Sequence, residues 1–132
     1  MKKTPPQQQS PATPRWRGRI WLEGPEGTFL GFGRVVLLER IAEHGSIAKA
    51  AKSMEMSYKH AWDLLESMTR QAGCPLVATT RGGRGGGGAA LTPAGEQAIA
   101  LFRRCHARLE EALAAMRVDL AEMRREETET TL

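Results

Sequence analysis

Two serines open two short helical patterns in the middle of this chain, and polar and aromatic side chains follow the second serine. Ser46 and Ser57 suit helix starts because their hydroxyls accept hydrogen bonds from backbone N–H groups that have no partner inside a helix. Tyr58, Lys59 and Trp62 follow Ser57 within the first turns. Hydroxyl, ammonium and indole groups at this place can contact phosphates and base edges. The chemistry predicted here is binding to double-stranded DNA.

Apolar side chains recur at helical spacing after each serine, which places them on one face of each helix. They are Ile47, Ala50, Ala51 and Met54 after the first serine, and Ala61, Leu64, Leu65 and Met68 after the second. Few residues separate the two patterns, and the alanines of the first permit a close approach of the helices. The pair is therefore predicted to be a helix-turn-helix. Its second helix turns Tyr58, Lys59, Trp62 and Asp63 away from the apolar face, toward DNA.

Two elements precede this helix pair. Strand-like segments flank the turn at residues 24–27, which predicts a short hairpin. The wide apolar stripe of residues 35–42 predicts a helix, and Gly45 suits its C-terminal cap because glycine readily adopts the left-handed backbone found there. The expected domain therefore has a core of three helices.

A glycine-rich segment, 82–88, lies between two strand-like segments, 76–81 and 89–92. A hairpin that directly follows a helix-turn-helix is the wing of a winged helix domain. Glycines let the backbone approach a groove and arginine can enter a minor groove, so Arg81 and Arg84 are predicted to contact DNA. The alternative for this segment is a flexible linker. A dinucleotide site is disfavoured because the glycines lie inside a hairpin.

A long helix is predicted to begin at Thr92 and Pro93 and to end near Met123. Its apolar residues recur at alternating steps of four and three, the spacing of a coiled coil. A helix of this length, at about 1.5 Å per residue, is longer than a small domain can cover, so a homodimer is predicted. The residues assigned to dimerisation are Phe102, Leu109, Leu113, Met116 and Leu120, with His106 as a polar residue that fixes the register.

Composition narrows the function further. The chain has 132 residues, of which 41% are hydrophobic and 26% charged, as in a soluble protein with one modest domain. Its net charge of +4 comes from residues 1–19, which hold bases and no acid. Without an apolar run of membrane length or a signal peptide, we expect a cytoplasmic protein with no membrane contact. No metal-ligand spacing and no nucleophile–base pair is present, so neither a metal site nor an enzyme is expected.

Each proposed DNA contact also has a purely structural interpretation. Tyr58 and Trp62 could be core aromatic residues, and Lys59 a solvated charge. Because a cation near a helix start opposes the helix dipole, a role for Lys59 in helix stability is disfavoured against a phosphate or guanine contact. The residues predicted to hold phosphates are Ser46, Lys49 and Ser57, whose capping or solvated roles are compatible with that contact.

These segments together resemble the DNA-binding domain of the molybdate-responsive ModE-type regulators, which is similar to the winged helix-turn-helix of LysR-type regulators. The matching stretches are residues 29–34, 45–52, 57–62 and 82–92. The resemblance implies a dimeric transcription factor whose second helix enters the major groove and whose wing reaches the adjacent groove. Members of the family also carry C-terminal molybdate-binding modules. No such module is found before Leu132, so no cofactor is expected and an oxyanion effector is left open.

The sequence thus predicts a mainly α, winged helix-turn-helix protein. Its expected parts are a disordered tail (1–15), the winged domain (16–92), a long dimerisation helix (93–124) and a second disordered tail (125–132). The expected function is a homodimeric regulator of molybdate- or tungstate-related genes that binds an inverted-repeat operator. The alternatives are a winged-helix module that binds protein, and a small oxyanion-binding protein that uses the glycine-rich loop as an anion nest.

Overall fold

The computed structural model of the protein describes residues 14–80 and 87–130. Its elements are β1 (Leu22–Gly24), β2 (Gly27–Leu30), α1 (Phe32–His44), α2 (Ile47–Ser53), α3 (Tyr58–Ala72), β3 (Val77–Thr79), β4 (Ala89–Leu91) and α4 (Pro93–Thr130). The strands form two separate antiparallel hairpins, β1–β2 and β3–β4. The mainly helical, winged helix-turn-helix fold is confirmed.

Two compact units share the chain. The larger extends from Ile20 to Ala107, and the smaller combines residues 14–19 with residues 108–130. The larger unit therefore continues past the predicted domain boundary at residue 92. The reason is that Ala98 and Phe102 of α4 are buried in the same apolar cluster as the side chains of α1, α2 and α3.

Capping residues determine where the helices of the larger unit begin and end. Helix α1 is followed by the capping residue Gly45, whose φ of 66° lies in the left-handed region that glycine adopts without strain. The Ser46 hydroxyl accepts a hydrogen bond from the backbone N–H of Lys49 at 3.2 Å. The Ser57 hydroxyl accepts one from the backbone N–H of His60 at 3.0 Å. Both predicted serine caps are confirmed.

Apolar side chains of α1, α2 and α3 form the core of the larger unit. The largest fully buried side chains of this unit are Leu30 of β2, Val35, Leu37, Leu38 and Ile41 of α1, and Met68 of α3. Each side chain of this size contributes about 1.5–3 kcal/mol through its burial. Between α2 and α3 the buried residues include Ala50, Ala51 and Ala61, whose small side chains let the two helices pack closely. This packing determines which flank of α3 stays in solvent.

The second hairpin is attached to the helix-turn-helix at its base. Strand β3 pairs with β4 in the register Val77 to Leu91 and Thr79 to Ala89. The backbone N–H of Ala89 then donates a 2.9 Å hydrogen bond to the carbonyl oxygen of Gly45, in the turn between α1 and α2. The predicted wing is thus held against the helix pair. Its strands are shorter than the sequence suggested.

Helix α4 differs from the prediction at both ends of its apolar stripe. It continues to Thr130, so the expected end near residue 124 and the disordered tail from residue 125 are wrong for residues 125–130. No glycine or proline follows Met123, and the hydroxyls of Thr128 and Thr130 donate hydrogen bonds to carbonyl oxygens one turn earlier. Phe102, assigned to dimerisation, is 4% exposed because it packs in the core of its own domain.

In the smaller unit, residues 15–18 lie along α4. A methyl group placed on Gly18 would be 3.4 Å from the Leu109 Cδ1 atom and 3.6 Å from the Leu113 Cδ2 atom, so the backbone approaches this part of the helix closely. Leu113 is accordingly 6% exposed. Residues of its own chain cover it, and its dimer contact stays a prediction.

Candidate nucleic-acid interface

The N-terminal turns of α3 carry the flank that the sequence assigned to DNA. Ala61, Leu65 and Met68 are the buried residues of this helix, so its opposite side faces solvent. Tyr58 is 54% exposed. Its ring meets the indole of Trp62 edge-on, with the ring centres 6.1 Å apart. The flank therefore remains accessible at its aromatic end, and the alternative that Tyr58 is a core residue is excluded.

Lys59 lies on the same flank and has a partner on its own helix. Its Nζ atom donates a 2.9 Å hydrogen bond to Oδ2 of Asp63, one turn later, and 85% of the Lys59 side chain is exposed. The hydrogen bond and the charge of Asp63 raise the pKa of the Lys59 ammonium above its ordinary value. Sequence reasoning placed Asp63 on the DNA-facing side of α3 but did not pair it with Lys59, although a lysine and a carboxylate four residues apart on a helix indicate this pair.

Trp62 divides its contacts between the core and the surface. It is half-buried and packs against the core cluster. It also lines an open cleft of about 310 Å³ between α3 and strand β3, whose other lining residues are Ile47, Leu65, Glu66, Thr69, Arg70, Val77 and Thr79. Trp62 thus stands where the recognition flank meets the wing. Part of its surface is available to a ligand and part is structural.

The residues predicted to hold phosphates surround two helix starts. Ser46 and Ser57 each use the hydroxyl oxygen as a cap acceptor, which leaves the hydroxyl hydrogen able to donate to an external acceptor. Lys49 is exposed, in the first turn of α2. Ser46 caps α2, Lys49 lies on α2, and Ser57 caps α3 directly before Tyr58.

Several side chains that the sequence patterns did not single out hold α3 in place. The Arg34 guanidinium of α1 donates a 2.9 Å hydrogen bond to the Ser67 hydroxyl, and partial burial lowers the pKa of Arg34. Gln71 donates to the carbonyl oxygen of Thr28 in the first hairpin, also at 2.9 Å. These contacts join the C-terminal half of α3 to α1 and to β2. None of these contacts involves the N-terminal half of α3, where Tyr58 and Lys59 are exposed to solvent.

Arg81 and Arg84, the predicted wing contacts, lie outside the described residues. The base of the wing is described. There, the backbone N–H of Thr80 donates a 2.9 Å hydrogen bond to the Gly88 carbonyl oxygen, and the Gly88 N–H donates to the Thr80 hydroxyl at 3.1 Å. Thr80 and Gly88, which flank that segment in the sequence, are thus paired with each other.

Helix α4 is joined to α1 by charged and aromatic contacts. The Arg103 Nε–H donates a 3.0 Å hydrogen bond to Oε2 of Glu39, and a second guanidinium nitrogen donates to Oε1. The Arg103 guanidinium carbon also lies 5.3 Å from the centre of the Phe32 ring. His106, expected to fix the register of a dimer, has its ring 5.9 Å from Phe32 within its own subunit.

The remaining residues assigned to dimerisation differ in exposure. Met116 is 39% exposed, and Met123 in the same stripe is 50% exposed. Leu109 and Leu120 are half-buried. The apolar stripe of α4 is therefore accessible to a second molecule in its C-terminal part, which begins at Met116.

The described residues were compared with the requirements of a metal site and of a membrane-spanning helix. Within residues 14–80 and 87–130, no three His, Cys, Asp or Glu side chains are grouped to hold a metal ion. Cys74 and Cys105 are free thiols. Among the helices described, none is long and apolar enough to span a bilayer.

A capped helix pair, a solvent-facing flank on its second helix and an adjoining hairpin define a winged helix-turn-helix DNA-binding domain. Comparison with known proteins agrees, since residues 32–96 match the family described as bacterial regulatory helix-turn-helix protein, lysR family. This part of the chain is therefore similar to that family of domains. The crystal structure of the CbnR DNA-binding domain in complex with DNA has the same fold, with a TM-score of 0.52 and 24% identity over 67% of this chain and 97% of that one.

Curated relatives match three quarters of the chain or less. The molybdenum transport protein ModE of Azotobacter vinelandii is 41% identical over 99 residues, 75% of this chain and 37% of that protein. The molybdenum-pterin-binding protein MopB of Rhodobacter capsulatus is 46% identical over 58% of this chain and 28% of its own length. The dual regulator ModE of Escherichia coli K12 is 45% identical over 52% and 26%. The matched stretch thus spans only about a quarter to 37% of these relatives.

Proposed function

We propose that this protein is a sequence-specific DNA-binding transcription regulator that inserts α3 into the major groove. The observation that carries the proposal is the exposed Tyr58–Lys59 flank at the capped start of α3, in a domain similar to a regulatory helix-turn-helix family. Base contacts of such helices come from their N-terminal residues. Binding to the chromosome also implies action in the cytoplasm.

Phosphate contacts position such a domain and give it affinity for any sequence. Lys49 and the capping hydroxyls of Ser46 and Ser57 are the described groups suited to this role, because hydroxyls and ammonium groups donate to phosphate oxygens. Arg81 and Arg84 of the wing complete the proposed interface. Exposed ion pairs contribute little to folding, so the Lys59–Asp63 pair leaves the lysine available to DNA.

The genes under control are proposed to concern molybdate or tungstate. This part of the proposal rests on the relatives, whose names refer to molybdenum transport and molybdenum–pterin binding. No cofactor is assigned to the described residues. An oxyanion effect on DNA binding is tested directly by adding molybdate or tungstate to the binding assay, with sulfate as the matched control anion.

The protein is further proposed to act as a homodimer through the C-terminal part of α4. Met116, Leu120 and Met123 recur at steps of four and three, and their side chains are exposed or half-buried. Two such helices bury these side chains against each other, which a single copy does not do. A two-fold dimer predicts an inverted-repeat operator with half-sites one helical turn apart, or a multiple of it.

The test is binding of the purified full chain to duplex DNA from the promoter of its own gene, followed by fluorescence anisotropy over a series of salt concentrations. We expect a preference for this duplex over a scrambled one, and an affinity that falls steeply with salt. Lys59→Ala should reduce specific binding while the dimer stays intact. Equal affinity for both duplexes, or an unchanged affinity in Lys59→Ala, favours a winged helix that binds protein instead.

Lys52→Ala is the matched control for this experiment. Lys52 is exposed on α2 and the substitution removes the same charge from the same domain, outside the recognition flank. It should lower the salt dependence slightly and leave the preference between the two duplexes unchanged. Loss of sequence preference in this control would place the reading surface on α2 rather than on α3.

A further inference from the structure

An acidic side chain lies on the flank of α3 that the proposed function places in the major groove. Asp63 is one helical turn after Lys59, and 54% of its side chain is exposed. DNA phosphates repel a carboxylate, so this residue weakens binding to every sequence alike. Such a cost is offset only where the carboxylate meets a hydrogen-bond donor on a base edge. The position of Asp63 therefore needs an explanation in terms of sequence discrimination.

We propose that Asp63 determines DNA specificity by reading, together with Lys59, a G·C base pair in the major groove. The inference rests on the proposed function, which is DNA binding through α3. It adds a residue that contributes to discrimination between base pairs rather than to overall affinity for DNA. Asp63 is assigned the cytosine amino group, and Lys59 is assigned the guanine acceptors.

The geometry of the pair matches the edge of this base pair. The Lys59 Nζ and Asp63 Oδ2 atoms are 2.9 Å apart, so a donor and an acceptor stand side by side. The major-groove edge of G·C offers two neighbouring acceptors on guanine, followed by the amino donor of cytosine. An A·T pair instead alternates acceptor, donor and acceptor and ends in the thymine methyl group. The pair therefore suits G·C better than A·T.

Both groups can bind a base without separating. An ammonium has three donors and an ionised carboxylate has about four acceptor positions, so one mutual hydrogen bond leaves the others free. The hydrogen bond to Asp63 also raises the pKa of Lys59, so the contact favours the charged ammonium. The mutual contact orients two flexible side chains before DNA arrives, which reduces the entropy lost on binding.

Glu66 is the other acid that acts on Lys59, but its position argues for a smaller role. Its charge contributes less to the raised pKa of Lys59 than the hydrogen bond and charge of Asp63 do. Glu66 lies further from the start of α3, and base contacts in this class come from the N-terminal residues of the recognition helix. The specificity role is therefore assigned to Asp63.

The experiment is a parallel selection from duplexes with a randomised central region, using the full wild-type chain, Asp63→Asn and the control Glu111→Gln. Glu111 is exposed on α4, and its substitution makes the same change in net charge. Wild type should enrich a site with a fixed G·C pair. Asp63→Asn should lose roughly tenfold discrimination at that pair, with preference moving toward A·T, since asparagine pairs with adenine.

Affinity for random-sequence duplex is measured beside the selection. Asp63→Asn should bind such DNA about threefold to tenfold more tightly, because one repulsive charge is removed near the phosphates. Glu111→Gln should change neither quantity, and circular dichroism should show the same helix content in all three proteins. An Asp63→Asn protein that selects the wild-type site with unchanged discrimination overturns the inference alone. A wild type that enriches no sequence overturns the proposed function, and the inference with it.

Discussion

Helices α3 and α4 both carry an apolar stripe at helical spacing, but the two stripes have different partners. In α3 the stripe of Ala61, Leu65 and Met68 is buried entirely within one domain, which leaves the opposite flank to solvent. In α4 the stripe divides along its length. Phe102 is 4% exposed in that same core, whereas Met116 is 39% exposed. One continuous pattern thus serves folding at one end and is open for association at the other.

The difference between α3 and α4 shows how much the spacing of apolar residues can predict about packing. Apolar spacing defines the face of a helix that avoids water, but burial is non-directional and does not name the surface that covers it. A short helix inside a small domain has one available partner. A helix of about 57 Å, at about 1.5 Å per residue, passes several surfaces along its length. The following substitutions test where folding ends and association begins along α4.

The largest effect is expected at Phe102. Phe102→Ala removes a buried ring and should lower the free energy of unfolding by about 3–5 kcal/mol, as measured by chemical denaturation at several protein concentrations. Because this loss is comparable to the stability of a small domain, Phe102→Leu provides a smaller and measurable step in the same direction. A Phe102→Ala protein with unchanged unfolding but a weakened dimer would restore the original assignment of this residue to the dimer contact.

A smaller and different effect is expected further along the helix. Met116→Ala combined with Met123→Ala should raise the dimer dissociation constant at least tenfold, since each loses part of the roughly 1.5–3 kcal/mol of a buried methionine side chain. Sedimentation equilibrium measures this change. Val118→Ala is the matched control, because Val118 is 56% exposed and off the seam spacing. An equal effect of the control would mean that the helices pair through another face.

The third effect concerns the stability of α3 and the role of its capping residue, Ser57. Ser57→Ala removes the cap acceptor for the His60 N–H and should cost about 1 kcal/mol of stability, whereas Ser57→Gly should cost only a few tenths. Thermal unfolding measures both. If DNA affinity falls in Ser57→Ala and recovers in Ser57→Gly, capping geometry rather than the hydroxyl itself positions the flank. A loss of affinity in both variants would assign the hydroxyl to a phosphate.

Local signals in the sequence predicted most of this fold. Local structure of this kind includes the serine caps, the glycine at residue 45 and the turn at residues 24–27. It depends on neighbouring backbone groups, so a few adjacent residues are enough to predict it. The burial of Phe102 and Leu113 depends on segments far away in the chain, and spacing alone could not assign it. The pair of Lys59 with Asp63 was present in the spacing but not used. The contact of Gln71 with β2 had no sequence signal.

The smallest expected effect is on the pH dependence of stability, and it concerns two ion pairs. One joins Lys59 to Asp63 within α3, and the other joins Arg103 of α4 to Glu39 of α1. The raised pKa of Lys59 means that the stability contributed by its pair with Asp63 is fully present below the ordinary lysine pKa of 10.5 and is lost as the pH rises through the higher pKa in the folded protein. The Arg103 guanidinium, which pairs with Glu39, remains protonated over the same range. Thermal unfolding from neutral to alkaline pH, compared between wild type and Lys59→Met, should show a slightly steeper alkaline loss in wild type that high salt removes. Parallel pH profiles at low salt would mean that the exposed pair contributes nothing to folding, and that Lys59 and Asp63 are held near each other only by the helix that carries them.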